Sequence, residues 1–205
     1  MRRYYFLSLF FLLAVCLHAQ EKTTTHEFFV SYGFAPVTSI PEPDLPINSD
    51  VNSKYTTSNE KISGTINIGY LFHLSDPFAI GVTYSYSTIK RDVVLGSSPV
   101  LAEIENKCHT IMLTGKYEWL HLKKFSFYSR VGIGFMLLKK GDMTLADLPY
   151  PDRYLPSATM ENDRCVAWQV MPLGVEWNFT KSLALFAEGG VGSAGCGMAG
   201  VKVKF

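Results

Sequence analysis

The sequence predicts an all-β protein, a closed antiparallel barrel of eight strands, and three observations carry this prediction. Apolar and polar residues alternate with a period of two in successive segments of the chain. Tight turns and long loops alternate between those segments. Aromatic residues gather toward both ends of the segments. A closed sheet explains the pattern because closure removes the unpaired edges that open strands would expose.

The start of the chain has the features of a secretory signal peptide. Two arginines precede an apolar run from Tyr4 to Leu17, and small residues follow it. The run is shorter than the roughly 20 residues that a membrane-spanning helix needs. We therefore expect residues 1–20 to be removed by cleavage near Ala19 or Gln20, which leaves residues 21–205 as one barrel domain.

Charge and hydropathy exclude two classes of protein. The chain has 19 Lys and Arg against 18 Asp and Glu, so no strong field attracts nucleic acid. After the signal peptide, residues 183–201 are the most apolar stretch, but six of these residues are glycine, which weakens a helix. We therefore expect neither a nucleic-acid partner nor a helical membrane protein.

The alternation defines eight strands in order. In the fourth, Ile111 and Leu113 lie on one face, while Thr114 and Lys116 lie on the other. The short sequences SDP, LKK and TKS join strands two to three, four to five and six to seven. Long loops at residues 36–60, 92–106 and 139–164 lie at the opposite end. The predicted strands are residues 26–36, 61–74, 78–91, 107–121, 125–138, 165–178, 183–192 and 197–205.

Alternation alone leaves open which face points inward. A lipocalin-like soluble barrel would enclose its apolar face, whereas a membrane barrel turns that face toward lipid. Aromatic residues near both strand ends favour the membrane barrel, because they would form its two interfacial girdles. In that case the interior carries a network of three acids and four bases: Lys116, Glu118, Arg130, Glu176, Glu188, Lys202 and Lys204.

The chain ends on MAGVKVKF, in which Val201, Val203 and Phe205 alternate with Lys202 and Lys204. This ending resembles the C-terminal assembly signal of the small eight-stranded outer-membrane β-barrel proteins of Gram-negative bacteria. The resemblance implies an eight-stranded antiparallel up-and-down transmembrane β-barrel in the outer membrane, with both termini in the periplasm. It also implies contact with outer-membrane lipid and recognition by the outer-membrane assembly machinery.

Motifs that would indicate catalysis or cofactor binding are weak. Gly190, Gly192 and Gly195 match the spacing G-x-G-x-x-G, but no helix follows to bind a dinucleotide. His73 and Ser75 lie close in sequence without an evident carboxylate to orient the histidine. We therefore expect no enzyme activity, no cofactor and no metal site.

Three cysteines remain after cleavage, namely Cys108, Cys165 and Cys196, all near the loop end. An odd number leaves at least one unbridged, and spacing does not fix the pairing. Cys165 with Cys196 is the candidate disulfide, because strand six should lie next to the loop that joins strands seven and eight.

The function expected from this organisation is structural, or an adhesion-like surface interaction made by loops 36–60 and 139–164. An eight-stranded barrel is only wide enough for side chains to fill its interior. A narrow permeation or transport barrel is the alternative, followed by a lipid-modifying enzyme of the outer membrane.

Overall fold

A computed structural model describes residues 26–36, 55–95, 100–122, 124–145, 163–180 and 182–205. The predicted signal peptide and its cleavage site lie outside these residues. Within them, no helix is long and apolar enough to cross a membrane. The strands are β1 (His26–Phe34), β2 (Tyr55–Ile62), β3 (Thr65–Ser75), β4 (Phe78–Leu95), β5 (Val100–His121), β6 (Phe125–Leu145), β7 (Asp163–Asn178), β8 (Leu183–Gly192) and β9 (Gly197–Lys204).

The strands form one closed antiparallel sheet. Each strand from β3 to β9 pairs with its successor in the chain, and β9 pairs with β1, which in turn pairs with β3. Strands β2 and β3 both pair with β4, so they form one barrel strand interrupted at residues 63–64. The prediction of an eight-stranded up-and-down barrel is therefore confirmed.

Several segments expected to be loops are paired strand instead. Strand β2 occupies the end of the expected loop 36–60, and β4 and β5 stay paired as far as Val94 opposite Val100, with a register shift after Val93. Strand β6 continues to Leu145, so the loops assigned to residues 92–106 and 139–164 were too long. Pairing continues there because the backbone hydrogen bonds of the sheet do not require apolar side chains. Hydrophobic alternation therefore ends while cross-strand pairs persist, such as Lys90 with Glu105 at 3.4 Å.

Burial follows the alternation along each strand. Phe29 is fully buried in the lumen, while its neighbours Phe28 and Val30 are exposed on the outside. Strand β7 contains a proline, which cannot donate a ladder hydrogen bond. The register shifts at this position, and the carbonyl of Pro172 accepts a hydrogen bond from Ser129 Oγ at 2.7 Å.

An apolar belt surrounds the barrel. On β6, the side chains from Phe125 to Leu137 that point outward include no Asp, Glu, Lys or Arg, and Ile133 and Phe135 are 64% and 69% exposed. The ten residue steps from Phe127 to Leu137, at about 3.3 Å each and a tilt of about 40°, span about 25 Å along the barrel axis. This height is that of the apolar band of transmembrane barrels.

The last hairpin needs glycine at two positions. Gly192 and Gly195 have φ values of 146° and 125°, a region that side chains rarely allow. A Cβ on Gly195 would also lie 2.9 Å from the Cα of Gly33. Gly190 and Gly192 lie at the end of β8, and Gly195 lies in the turn to β9. The glycines that match G-x-G-x-x-G thus form a hairpin turn.

Arginine at position 133 should destabilise the barrel in a bilayer. Ile133 lies near the middle of the belt, where Arg costs about 2 to 4 kcal/mol, whereas Leu137→Arg at the edge should cost about 0 to 1 kcal/mol. Unfolding in lipid vesicles measures both. Equal costs at the two positions would show that the belt does not face lipid.

Candidate functional site

The seven charged side chains expected in the lumen all point into it. Lys116, Arg130 and Lys202 are at most 3% exposed, and Glu176 and Glu188 are buried as well. Glu118 and Lys204 lie nearer the rim, with side chains 9% and 14% exposed. Side chains from five different strands thus bring their charged groups together on the turn side of the barrel.

Glu27 is the centre of this network, and the sequence analysis missed it. Its Oε1 lies 3.0 Å from Lys116 Nζ and 2.7 Å from His73 Nε2, and its Oε2 lies 3.1 Å from Lys202 Nζ. Glu27 shares the inward face of β1 with Phe29, so the alternation contained the signal. With Glu27 the described lumen network balances four carboxylates against four bases: Glu27, Glu118, Glu176, Glu188, Lys116, Arg130, Lys202 and Lys204.

Glu176, on β7, is the second centre. Its Oε2 accepts a hydrogen bond from Lys202 Nζ at 2.5 Å and lies 3.5 Å from Lys116 Nζ, while Oε1 pairs with Lys204. Lys116 and Lys202 therefore each bridge Glu27 and Glu176. Because β1 and β9 are neighbours in the sheet but neither borders β5 and β9 does not border β7, three of these four contacts connect strands that are not adjacent.

Tyr128 separates this network from a second ion pair. Its hydroxyl donates to Glu188 Oε1 at 2.6 Å, and Arg130 pairs with the other oxygen of Glu188. The Tyr128 ring centroid lies 4.6 Å from Lys116 Nζ and 4.8 Å from Lys202 Nζ. Such ring contacts favour a cation over the ring face.

The cross-section at this level is full. A Cβ on Gly174 would lie 2.5 Å from the Tyr128 ring, so glycine leaves the space that the ring occupies. Phe29 lies below Arg130, with its ring centroid 4.8 Å from the guanidinium carbon. The gap that these side chains surround does not admit a water molecule. We call this layer, from Glu27 and Glu176 to Glu188, the lumen plug.

Histidines at the turn-side rim contact carboxylates but do not form a catalytic triad there. His121 Nδ1 lies 2.6 Å from Glu118 Oε1 and 3.1 Å from Ser126 Oγ, so acid and hydroxyl share one nitrogen. A triad needs them on opposite nitrogens. The residues described contain no group of three or more His, Cys, Asp or Glu placed to hold a metal ion.

The candidate disulfide between Cys165 and Cys196 is absent, and both are free thiols. Gln169 pairs with Gly192 at the end of β8, and its side chain binds Ala194 N at 2.7 Å and Gly195 O at 2.9 Å. The turn with Cys196 is thus held near the level of Gln169. Cys165 lies four residues further along β7, roughly 13 Å. The expectation overlooked that β7 continues beyond the end of β8.

The C-terminal residues close the barrel. Phe205 and His26 exchange two backbone hydrogen bonds, at 2.9 Å from Phe205 N and 2.7 Å from His26 N. Their rings stack with centroids 5.6 Å apart. Val201 and Val203 lie on the outside, and Phe205 is 67% exposed. The side chain of Phe205 is therefore available for recognition, while its backbone completes the sheet.

Solved structures similar to this chain include two outer-membrane proteins. OprG from Pseudomonas aeruginosa is 15% identical, over 90% of this chain and 97% of that one, with a TM-score of 0.49. Ail, the attachment invasion locus protein of Yersinia pestis, in complex with the heparin analogue sucrose octasulfate, is 13% identical, over 90% and 100%, with a TM-score of 0.45. At these values the likenesses do not indicate what this chain binds or does. No family model and no curated protein matches the chain.

Neutralising Glu27 should destabilise the barrel strongly. Glu27→Gln keeps the side-chain volume but leaves Lys202 with Glu176 alone and Lys116 with Glu176 and the more distant Glu118, at 3.6 Å, in a buried site. Removing one member of a buried ion pair costs about 3 to 5 kcal/mol. Urea unfolding in detergent micelles measures the loss.

Glu105→Gln is the matched control, because it removes the exposed partner of Lys90, whose pairing is worth about 1 kcal/mol or less. Similar losses in the two variants would contradict the central role of Glu27.

Removal of the terminal aromatic ring should impair assembly more than stability. Phe205→Ser keeps the backbone hydrogen bonds to His26, so the refolded protein should unfold at nearly the wild-type denaturant concentration. Its amount in the outer membrane should fall severalfold, while Phe205→Tyr should restore it. Surface levels of Phe205→Ser equal to wild type would refute a role of the ring in recognition.

Proposed function

We propose that this chain is an integral outer-membrane β-barrel that acts as a structural or surface-interaction protein through its loop-side hairpins. The observation that carries this proposal is the lumen plug, a charge-balanced layer without space for water, inside a barrel whose outer surface is apolar. Such a molecule is built to sit in lipid and is poorly suited to conduct solutes.

The outer surface supports the membrane part of the proposal. Exposed large apolar side chains occur on every barrel strand, from Phe28 on β1 to Val203 on β9. A soluble protein rarely leaves a continuous apolar patch larger than a few hundred Å². Contact of this apolar surface with lipid is favourable, whereas its contact with water is costly.

The aromatic residues support two interfaces at the ends of the belt. Trp177 lies on the turn side, where its ring packs against Phe125 and Phe179, at centroid distances of 6.3 and 4.1 Å. Tyr84 lies on the loop side and binds His109 Nδ1 at 2.8 Å through its hydroxyl. Rings with an apolar body and a polar tip prefer the level of lipid head groups.

The hairpins beyond the belt are where a surface contact would form. Strands β4 and β5 remain paired from Tyr86 opposite His109 up to Val94 opposite Val100. Eight residues of paired strand extend this hairpin by roughly 26 Å. Strand β6 extends likewise along β5, with Leu145 opposite Ala102. Paired hairpins present side chains to a partner with less loss of entropy than flexible loops.

Shortening the β4–β5 hairpin should leave the barrel intact and remove the surface interaction. Residues 94–101 can be replaced by Asn-Gly, which joins Val93 to Ala102, a pair that is in register. We expect unchanged unfolding in detergent and loss of adhesion of cells that display the protein to immobilised polysaccharide or matrix protein.

Glu188→Gln serves as the converse variant, because it alters the lumen plug and leaves the hairpins unchanged. It should lower stability without affecting adhesion, and wild type should not conduct in planar bilayers. Wild-type conductance whose ion selectivity changes with Glu188→Gln would favour a permeation barrel. A change in lipid A mass on expression would favour a lipid-modifying enzyme.

A further inference from the structure

Three basic side chains lie together on the outer surface of the barrel, where the apolar belt ends on the loop side. Lys107 on β5, Lys139 on β6 and Arg164 on β7 are exposed and point outward. Lys107 lies directly opposite Lys139, and Cβ atoms in such pairs are about 5 Å apart. Arg164 lies opposite Leu137, which makes it a diagonal neighbour of Lys139 at about 7 to 8 Å. We call these three residues the basic patch.

The stagger of the strands brings the basic patch to one height on the barrel. A row of directly opposite residues leaves β6 at Phe125, passes every other barrel strand and returns to β6 at Phe135, ten residues nearer the loops. Each row therefore climbs about 3 Å per strand when the strands tilt by about 40°. With this climb the three cations lie about 2 to 5 Å above Leu137 along the barrel axis.

This height is that of lipid head groups. Leu137 is the last outward side chain of the belt on β6. Below the basic patch on β5, His109 binds the hydroxyl of Tyr84 at 2.8 Å and packs against the Tyr86 ring, with centroids 5.2 Å apart. Rings of this kind prefer the boundary between lipid and water. Lysine and arginine at this boundary lay their aliphatic stems on apolar surface and reach out with their charged groups.

The basic patch lacks an acidic partner in the part of the chain that the structure describes. There, no carboxylate forms an ion pair with any of its three members. Glu105, the acidic residue next to Lys107 on the outer face, is paired with Lys90 at 3.4 Å. Like charges directly opposite each other on a sheet repel. An anion between Lys107 and Lys139 converts this repulsion into two attractive contacts.

The surface below the basic patch suits the acyl chains of a lipid. Phe135 lies directly opposite Val166, and both belong to the same outer face of β6 and β7. They are 69% and 63% exposed, among the highest values of the described apolar residues. A ligand that carries a phosphate above acyl chains therefore contacts both surfaces at once, whereas free phosphate contacts only the upper one.

We propose that the basic patch binds the phosphate group of an outer-leaflet lipid, lipid A by its chemistry. Lys107 and Lys139 lie on either side of the phosphate, and Arg164 donates to it from the third strand. A phosphate monoester carries about two negative charges and three acceptor oxygens, which match three cations better than the single charge of a phosphodiester. Arginine and lysine are the usual partners of phosphate in proteins. The site rests on the membrane part of the proposed function.

Thermal unfolding tests the site in protein refolded in zwitterionic detergent micelles, with and without added lipid A. A ligand that binds only the folded state raises the unfolding temperature. Wild type should gain several degrees with lipid A and none with phosphatidylcholine. Lys139→Gln and Lys107→Gln should each lose most of this gain. In detergent alone both variants should be at least as stable as wild type, because each removes a repulsion.

Lys124→Gln is the matched control, since it removes an exposed lysine at the turn-side end of the barrel. It should keep the whole gain of wild type. A full gain in Lys139→Gln, or an equal loss in Lys124→Gln, would overturn the site. Dephosphorylated lipid A should act no better than phosphatidylcholine. A gain with inorganic phosphate equal to that with lipid A would refute the assignment to lipid.

Insertion into phosphatidylcholine vesicles separates this proposal from the membrane barrel on which it rests. Protein that fails to insert contradicts the membrane barrel itself. Protein that inserts but shows no gain with lipid A refutes the basic patch alone.

Discussion

The ion pairs between Glu27, Glu176, Lys116 and Lys202 are the interaction on which the rest of the barrel depends. Each ammonium lies between two carboxylates, at distances from 2.5 to 3.5 Å, and all four side chains are buried. Charges taken out of water are costly unless opposite charges and hydrogen bonds surround them. Positive and negative side chains alternate in this way only when β1, β5, β7 and β9 are offset from one another by one particular stagger. The network therefore selects the register of the closed sheet against alternatives.

The two halves of the lumen differ in chemistry and hence in what they can do. The turn-side half is ionic, and its carboxylates pair with its ammonium and guanidinium groups, although Arg130 Nε has no hydrogen-bond partner among the described residues, so it stabilises the barrel and blocks passage. The loop-side half contains thioethers, thiols and small hydroxyl side chains such as Thr83 and Thr114, whose oxygens lie 2.9 Å apart. This half has no net charge to hold it together and is held by packing.

Function outside the lumen depends on the contrast between the belt and the hairpins. The belt is apolar on all strands, so it contacts lipid without specific recognition. The paired strands β4, β5 and β6 continue beyond it with polar residues such as Lys90 and Glu105. A rigid wall that is anchored in lipid at its base can present a fixed surface at some distance from the membrane. This is the geometry that an interaction with another surface requires.

The sequence by itself determined the number of strands, the direction of each side chain and the positions of the tight turns. These properties are local, because a period of two assigns Lys116 to the inside and Tyr117 to the outside without any knowledge of neighbours. Glu27 followed from the same rule and was overlooked. Only the tertiary structure decided which charges meet, since contacts such as that of Glu27 with Lys116 depend on the stagger of strands across the barrel. The length of the hairpins and the separation of Cys165 from Cys196 were decided there too. Backbone pairing continues where hydrophobic alternation has stopped, and the level of each strand end depends on its partners.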